Sequence, residues 1–338
     1  MALQDSINFL KKLSPRKSLN GSQLLSSYYF SRLTKKPTHS GYPITLSIEP
    51  TTHCNLRCPE CPSGLRSFTR DTGMIDLSLF QKAVDELHDY LVYLYLYFQG
   101  EPYLHPQFDE LVSYASQKNI YTVASTNAHF LDDENARNTI ESGLSRLIIS
   151  VDGTTQQSYE KYRVGGNLEK VLEGTKTLVR LKKKLKSSAP HVIFQMVVFS
   201  HNENEMEQLC KMAAECGVDE VKLKTAQIYD FENGSSLIPS SEKYSRYTLH
   251  ANSFYKIKNP LLNHCWKMWH SSVITWDGKV VPCCFDKDAT HVMGDLKKQS
   301  FREIWNGEPY QKFRASLLRS RKEIDICKNC SEGTKVWI

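Results

Sequence analysis

Three cysteines stand close together in Cys54-Asn55-Leu56-Arg57-Cys58-Pro59-Glu60-Cys61. Thiolates spaced Cys-x3-Cys-x2-Cys can wrap three irons of a cubane iron–sulfur cluster from one short loop. Such clusters take cysteine thiolates and need four for full ligation. A set of three leaves one iron open, and an open metal position is what a catalytic site needs. The bland readings of the same residues are three unrelated buried thiols or part of a zinc site. The chain holds ten cysteines in 338 residues. Residues 1–14 show repeated polar breaks and no export-type apolar core, so a cytoplasmic location is expected. In a reducing compartment, clustered cysteines serve metal or redox chemistry more often than disulfides.

The rest of the chain must position that loop. With 40% apolar and 24% charged residues the composition is that of an ordinary soluble globular protein, which excludes collagen-like and wholly disordered chains. A net charge of +6, from 43 basic and 37 acidic residues, is too diffuse to imply nucleic acid. The longest apolar run, Tyr90 to Phe98, is far short of a membrane span. From Pro43 a regular alternation begins. Strands are expected at Ile44–Ile48, Leu91–Phe98, Ile120–Ser125, Ser145–Val151, Val192–Phe199 and Glu220–Thr225. Amphipathic helices are expected between them, at Leu77–Tyr90, Pro106–Lys118, Asp132–Ser142, Asn167–Lys186 and Glu203–Cys216. Asp76 and Asp132 are N-cap candidates, and Gly143 and Gly217 stand where helix-ending glycines belong. Such alternation means parallel βαβ units, hence an α/β sheet or barrel. Tyr93, Tyr95 and Tyr97, alternating with leucine and valine, read as a strand buried on both faces. Residues 1–42 read as a partly helical N-terminal extension. Residues 43–234 form the α/β unit, and 235–338, behind a Ser-rich linker, form a smaller cysteine-rich domain.

The cysteine loop after the first strand resembles that of the radical S-adenosylmethionine (SAM) superfamily. Further marks follow in order: Gln99-Gly100-Glu101-Pro102 after the second strand, Ser125-Thr126-Asn127 at the third, Ser150-Val151-Asp152-Gly153 at the fourth, then Tyr162-Arg163. The resemblance implies a partial (β/α)6 TIM-like barrel over about residues 43–226. It implies a [4Fe–4S] cluster on Cys54, Cys58 and Cys61 whose open iron chelates SAM. Reductive cleavage then yields methionine and a 5′-deoxyadenosyl radical that abstracts hydrogen from a substrate. It places SAM contacts at Gln99, Gly100, Glu101, Ser125, Asn127, Ser150 and Arg163. Two residues depart from the family pattern. Gln99 replaces the first glycine of Gly-Gly-Glu-Pro, and Glu60 stands where an aromatic residue usually precedes the third cysteine. The marks fall at the C-terminal strand ends, where barrels build active sites.

The later cysteines, Cys265, Cys283, Cys327 and Cys330, are similar in spacing to the SPASM/Twitch extension of that superfamily. Four thiolates suffice for one fully ligated auxiliary [4Fe–4S] cluster; a four-cysteine zinc site is the competing reading. Cys210 and Cys216 are expected as small core residues. Cys284 could pack, replace Cys283 as ligand, or donate a hydrogen atom to a substrate radical as a catalytic residue. Asp277 and Asp286 flank the second-cluster loop and read by default as turn residues. The expected activity is oxidoreductase chemistry, such as oxidation of a sugar, alcohol or other small molecule. Peptide or protein modification and radical epimerisation are alternatives. The non-enzyme alternatives are an iron–sulfur electron carrier or a zinc-stabilised binding module. The resemblance implies a flavodoxin or ferredoxin as reductant and a small-molecule or peptide substrate, with no nucleic acid and no membrane span.

Overall fold

The computed structural model describes residues 3–250 and 254–336. Six strands follow one another: β1 (Thr45–Ile48), β2 (Tyr93–Tyr95), β3 (Tyr121–Thr126), β4 (Arg146–Ser150), β5 (His191–Val198) and β6 (Glu220–Thr225). Each pairs in parallel with the next. Helices cross between them on one side. The helix Leu77–Leu87 buries Leu79, Phe80, Ala83, Val84 and Leu87, the stripe that a 3.6-residue period turns toward a sheet. The expected caps form: Asp76 accepts from the Ser78 N–H and Asp132 from the Asn135 N–H, both at 2.8 Å. Gly217 ends the helix Met206–Cys216 in the left-handed conformation. The result bears out the parallel βαβ units that the alternation implied and the partial TIM-like barrel that the resemblance implied.

The tyrosine-rich strand differs from expectation. Only Tyr93–Tyr95 is hydrogen-bonded as strand. Leu94 and Leu96 are fully buried in the core, while Tyr93 and Tyr95 stay part-exposed on the opposite face. Tyr93, Tyr95 and Tyr97 form a ring ladder, with centroids 6.2 and 5.6 Å apart. One face of this strand is thus core and the other an aromatic lining.

The C-terminal third contributes β7 (Tyr247–Leu249) and β8 (Tyr255–Ile257), a small antiparallel ribbon, then β9 (Ser271–Ile274), β10 (Lys279–Val281) and β11 (Gly294–Asp295). The last three do not stand apart. They extend the barrel sheet in the order β11-β10-β9-β1-β2-β3-β4-β5-β6. Strand β9 lies parallel to β1, with Ser271 opposite Thr45, and covers an edge whose backbone groups would otherwise be open.

Residues 3–34 form two helices, Leu3–Leu10 and Pro15–Thr34. Asp5, fully buried, meets the Tyr121 hydroxyl and the Arg146 guanidinium at the starts of β3 and β4. Phe9 stacks on Tyr93 at the start of β2, centroids 5.0 Å apart. The first helix therefore closes the N-terminal end of the barrel, away from the cysteines. The second buries Leu24 and Tyr28; Tyr28 packs edge-on against Trp266 and Trp269 and bonds His264 Nδ1 at 2.9 Å. Among the described residues no helix is long and apolar enough to cross a membrane.

Candidate functional site

The first cysteine loop is anchored at both ends. Glu49, fully buried just past β1, takes a bidentate pair from Arg70 at 2.6 and 2.8 Å and a hydrogen bond from the Trp276 N–H at 3.2 Å. Arg70 also donates to the Lys287 carbonyl at 3.1 Å. One ion pair thus ties the segment after Cys61 to the barrel and to the C-terminal region. Gly64 packs so tightly that an added Cβ would lie 2.5 Å from the Cys58 backbone. Gly100, at φ +75°, passes against the Thr51 and His53 carbonyls with no room for a side chain. Its N–H donates to Ser63 Oγ at 2.9 Å, and the Glu101 N–H to the His53 carbonyl at 2.7 Å. The Gly-Glu-Pro turn and the cysteine loop therefore form one unit.

Most of the expected cofactor residues converge here. The Glu101 carboxylate accepts from Thr126 Oγ1 (2.7 Å), the Asn127 N–H (2.8 Å) and the Tyr103 N–H (3.3 Å). Three donors occupy most of the roughly four acceptor positions of a carboxylate. Glu101 thus holds the end of β3 while one acceptor position stays open. Burial pushes its carboxyl up to about 7. The Asn127 amide donates to Asn55 Oδ1 at 2.7 Å, inside the cysteine loop. Gln99 Oε1 lies 3.9 Å from Cys61 Sγ. Arg163, at the end of the helix Gln156–Tyr162, pairs through Nε with buried Asp152 at 2.6 Å and points Nη1 at Cys58 Sγ, 3.9 Å away. Asp152, which carried no assigned role in the sequence, also accepts from the Val197 N–H at 2.6 Å. Ser125 and Ser150 stand at the ends of β3 and β4 with no side-chain hydrogen bond to a described residue.

The later cysteines gather at a second place. Cys327 and Cys330 each feel the charge of Cys265, and Cys283 feels that of Cys330. Arg321, buried and unsuspected from sequence, donates to Cys330 Sγ at 3.1 Å. Gly333, at φ +81°, lies where a Cβ would strike Cys265 Sγ. Cys284, exposed, sits beside Cys283, with Lys267 Nζ 3.9 Å from its sulfur. A hydrogen bond from Cys283, aided by Lys267, draws Cys284 down to about 6. Cys210 is exposed and Cys216 buried on their shared helix, so only the second is a core residue. Asp286 accepts from Thr290 and the His291 N–H, and Asp277 from Thr275, as turn residues do.

The fit to iron–sulfur clusters rests on this thiol chemistry. All ten cysteines are free. Burial pushes Cys54 and Cys330 up to about 12 and Cys327 up to about 11. Buried thiols of this kind give up their protons to a metal, and Arg163 and Arg321 stand ready to offset the resulting thiolate charge. Among the described residues no trio of His, Cys, Asp or Glu side chains closes on single-ion geometry.

Side chains link the two sets: Lys287, four residues after Cys283, donates to the Tyr229 hydroxyl at 3.0 Å. The Tyr229 N–H, in the loop after β6, donates to Glu60 Oε2 at 2.9 Å. Glu60, standing at the departure from the family's aromatic position, thereby ties the cysteine loop to the loop after β6. A separate groove of about 380 Å³ among Gln81, Asp109, Glu110 and Glu141 lies on the outer helices and includes none of these groups.

Residues 48–213 match the family model described as the radical SAM superfamily, and residues 265–331 match SPASM, described as an iron–sulfur cluster-binding domain. The tungsten-containing aldehyde ferredoxin oxidoreductase cofactor-modifying protein of Pyrococcus furiosus is 24% identical, over 85% of this chain and 86% of its own length. The S-adenosyl-L-methionine-dependent 2-deoxy-scyllo-inosamine dehydrogenase of Niallia circulans is 23% identical, over 85% of this chain and 92% of its own. The structure of SuiB from Streptococcus suis bound to precursor peptide SuiA superposes with a TM-score of 0.61 at 12% identity, covering 86% of this chain and 72% of that one. At that identity the structural likeness concerns the fold.

Proposed function

The chain belongs to the radical SAM superfamily and carries a SPASM domain behind its barrel; from that premise we propose that it oxidises a C–H bond of a small molecule held between two [4Fe–4S] sites. The first site uses Cys54, Cys58 and Cys61, and the second Cys265, Cys283, Cys327 and Cys330. Reductive cleavage of SAM at the open iron supplies the hydrogen-abstracting species. The chain's own residues bind and orient. Arg163, fixed by Asp152 beside Cys58, is placed to hold the SAM carboxylate. Glu101 keeps one acceptor position for the SAM amino group, and Gln99 and Gly100 shape that turn. Ser125, Asn127 and Ser150 offer polar groups along the strand ends. A cluster held by Cys265, Cys283, Cys327 and Cys330 would supply an electron acceptor for the carbon radical left by hydrogen abstraction, and water would take the proton of the two-electron oxidation.

The observation that carries this reading is the hydrogen-bonded link from Lys287 through Tyr229 to Glu60, which joins the segment after Cys283 to the residue beside Cys61. A substrate beside that link would lie near both cysteine sets. The small-molecule choice is supported by residues 3–34, which close the barrel end instead of offering a free peptide-binding module. It is also supported by the dehydrogenase relative. The second reading is peptide modification, favoured by the peptide-bound structural neighbour. The test presents the anaerobically reconstituted protein, SAM and a reductant such as flavodoxin or ferredoxin with small-molecule and peptide fractions of a cell extract. A substrate-dependent rise in 5′-deoxyadenosine is expected with the small-molecule fraction. A rise confined to the peptide fraction replaces the first reading by the second, and no SAM cleavage under any condition overturns both.

A further inference from the structure

His129 lies buried where the segments carrying Asn55, Asn127 and Arg163 meet. Just past β3 the chain turns back on itself at Ala128, left-handed at φ +61°. A non-glycine residue rarely holds that conformation unless its surroundings over-determine it. The Ala128 N–H donates to Thr126 Oγ1 at 2.9 Å, and Thr126 Oγ1 donates to Glu101 at 2.7 Å. The turn brings His129 back onto Asn127. The His129 N–H donates to Asn127 Oδ1 at 3.1 Å, and the ring nitrogen Nδ1 lies 2.9 Å from the same oxygen and 3.0 Å from the Asn127 carbonyl. At the other end of the ring, Nε2 accepts from the Asn167 N–H at 2.8 Å. Asn167 caps the helix Leu168–Lys184, four residues after Arg163. That segment also reaches the cysteine loop directly, where the Arg57 N–H donates to the Val164 carbonyl at 3.0 Å.

A neutral imidazole has one donor and one acceptor nitrogen. Because Nε2 accepts from Asn167, Nδ1 carries the proton and donates it to Asn127. A protonated ring would instead set a donor against the Asn167 N–H, and burial holds the imidazole below the ordinary histidine range. Two donors on Asn127 Oδ1 fix which end of that amide is oxygen. The Nδ2 end then faces the cysteine loop, where it donates to Asn55 Oδ1 at 2.7 Å. An amide NH2 has two hydrogens, and the second makes no hydrogen bond to a described residue. We propose that His129 is a positioning residue: held by the Asn167 N–H, it locks the Asn127 amide so that the second Nδ2 hydrogen is presented to an oxygen of SAM. The inference rests on the reading that Asn127 contacts SAM. The rival role is structural: the ring only supports its loop, and SAM binding follows stability alone.

The test titrates SAM calorimetrically into anaerobically reconstituted holoprotein, with iron content and urea unfolding measured on the same samples. His129→Asn sets an amide N–H near the place of Nδ1–H, and His129→Gln sets an amide oxygen near the place of Nε2. His129→Gln should keep its iron and weaken SAM binding about three- to tenfold, as loss of one hydrogen bond does. His129→Asn should bind SAM nearly as the unaltered protein does, even where it is the less stable of the two. In the Gln variant the KM for SAM should rise while reductant-dependent cleavage at saturating SAM keeps its rate, because only SAM binding is weakened. In an Asn127→Ala background His129→Gln should change SAM affinity no further. Unchanged affinity in the Gln variant, or an effect that persists in the Asn127→Ala background, overturns the positioning role. Affinities that follow the unfolding midpoints of the two variants, or loss of iron from both, establish the structural role instead. No SAM binding by the unaltered protein overturns this inference and the reading of function together. If the unaltered protein binds and cleaves SAM while His129→Gln changes nothing, only the inference fails.

Discussion

At the scale of single residues, the account depends on Arg163 and Glu101 being held by the protein before any ligand arrives. Arg163 is fixed by Asp152, and Glu101 by three donors from β3 and its own turn. Arg163→Gln or Glu101→Gln should therefore weaken SAM binding while leaving the clusters. Loss of one charge-assisted hydrogen bond costs roughly 1.5–3 kcal/mol, so about tenfold or more in affinity. Calorimetric SAM titration with parallel iron analysis checks this, and unchanged affinity in both variants would mean that the SAM site is misplaced. The vicinal pair Cys283 and Cys284 makes a second residue-scale prediction. Lys267 Nζ stands 3.9 Å from the Cys284 sulfur. If Cys283 is the ligand, Cys283→Ala loses auxiliary-cluster iron and Cys284→Ala keeps it. The reverse pattern assigns the ligand role to Cys284. A Cys284→Ala variant that retains its iron but loses incorporation of deuterium from heavy water into product would establish hydrogen donation.

At the scale of elements, the first helix is a plug for the closed end of the barrel. Asp5→Ala leaves the Arg146 guanidinium without its carboxylate. Breaking such a buried pair costs about 3–5 kcal/mol, so urea unfolding should shift by that amount with iron content unchanged. The loop into β1 carries a pH-dependent contact. His39 packs edge-on to Trp305, and its Nδ1 is buried without a partner. Burial holds it down at about 3. The unfolded chain takes up this proton near the ordinary histidine value of about 6.5 and the folded chain resists it. Stability present above about 6.5 is therefore lost as pH falls toward 3, at about 1.4 kcal/mol per pH unit. His39→Gln should remove that share of the slope in urea titrations between about pH 7 and about pH 5; an unaltered slope would contradict the buried, neutral assignment. These elements also show what the sequence can and cannot reveal. The six barrel strands, the caps at Asp76 and Asp132 and the Cys54 loop are local patterns, and local patterns are readable. The return of β9 to the edge of β1, the plug at Asp5 and the Arg321 contact with Cys330 join segments without any shared periodicity. The tyrosine ladder misled because alternation shows that a strand has two faces, not what each face meets.

At the scale of the whole molecule, one nine-stranded sheet carries both cysteine sets. The Glu49–Arg70 pair, Trp276 and the Lys287 carbonyl join the first cysteine loop to the C-terminal region, so the two sites share one frame. The central claim is that they are separate iron–sulfur centres with divided labour, and iron content measured together with SAM cleavage tests it most directly. The reconstituted protein should hold about eight irons per chain, two cubanes' worth. Replacing Cys54, Cys58 and Cys61 together by Ala should leave about half of that iron and abolish reductant-dependent formation of 5′-deoxyadenosine. Replacing Cys327 and Cys330 should also leave about half, with SAM cleavage retained. SAM cleavage that survives in the triple variant, or a full iron complement in either variant, would contradict the account.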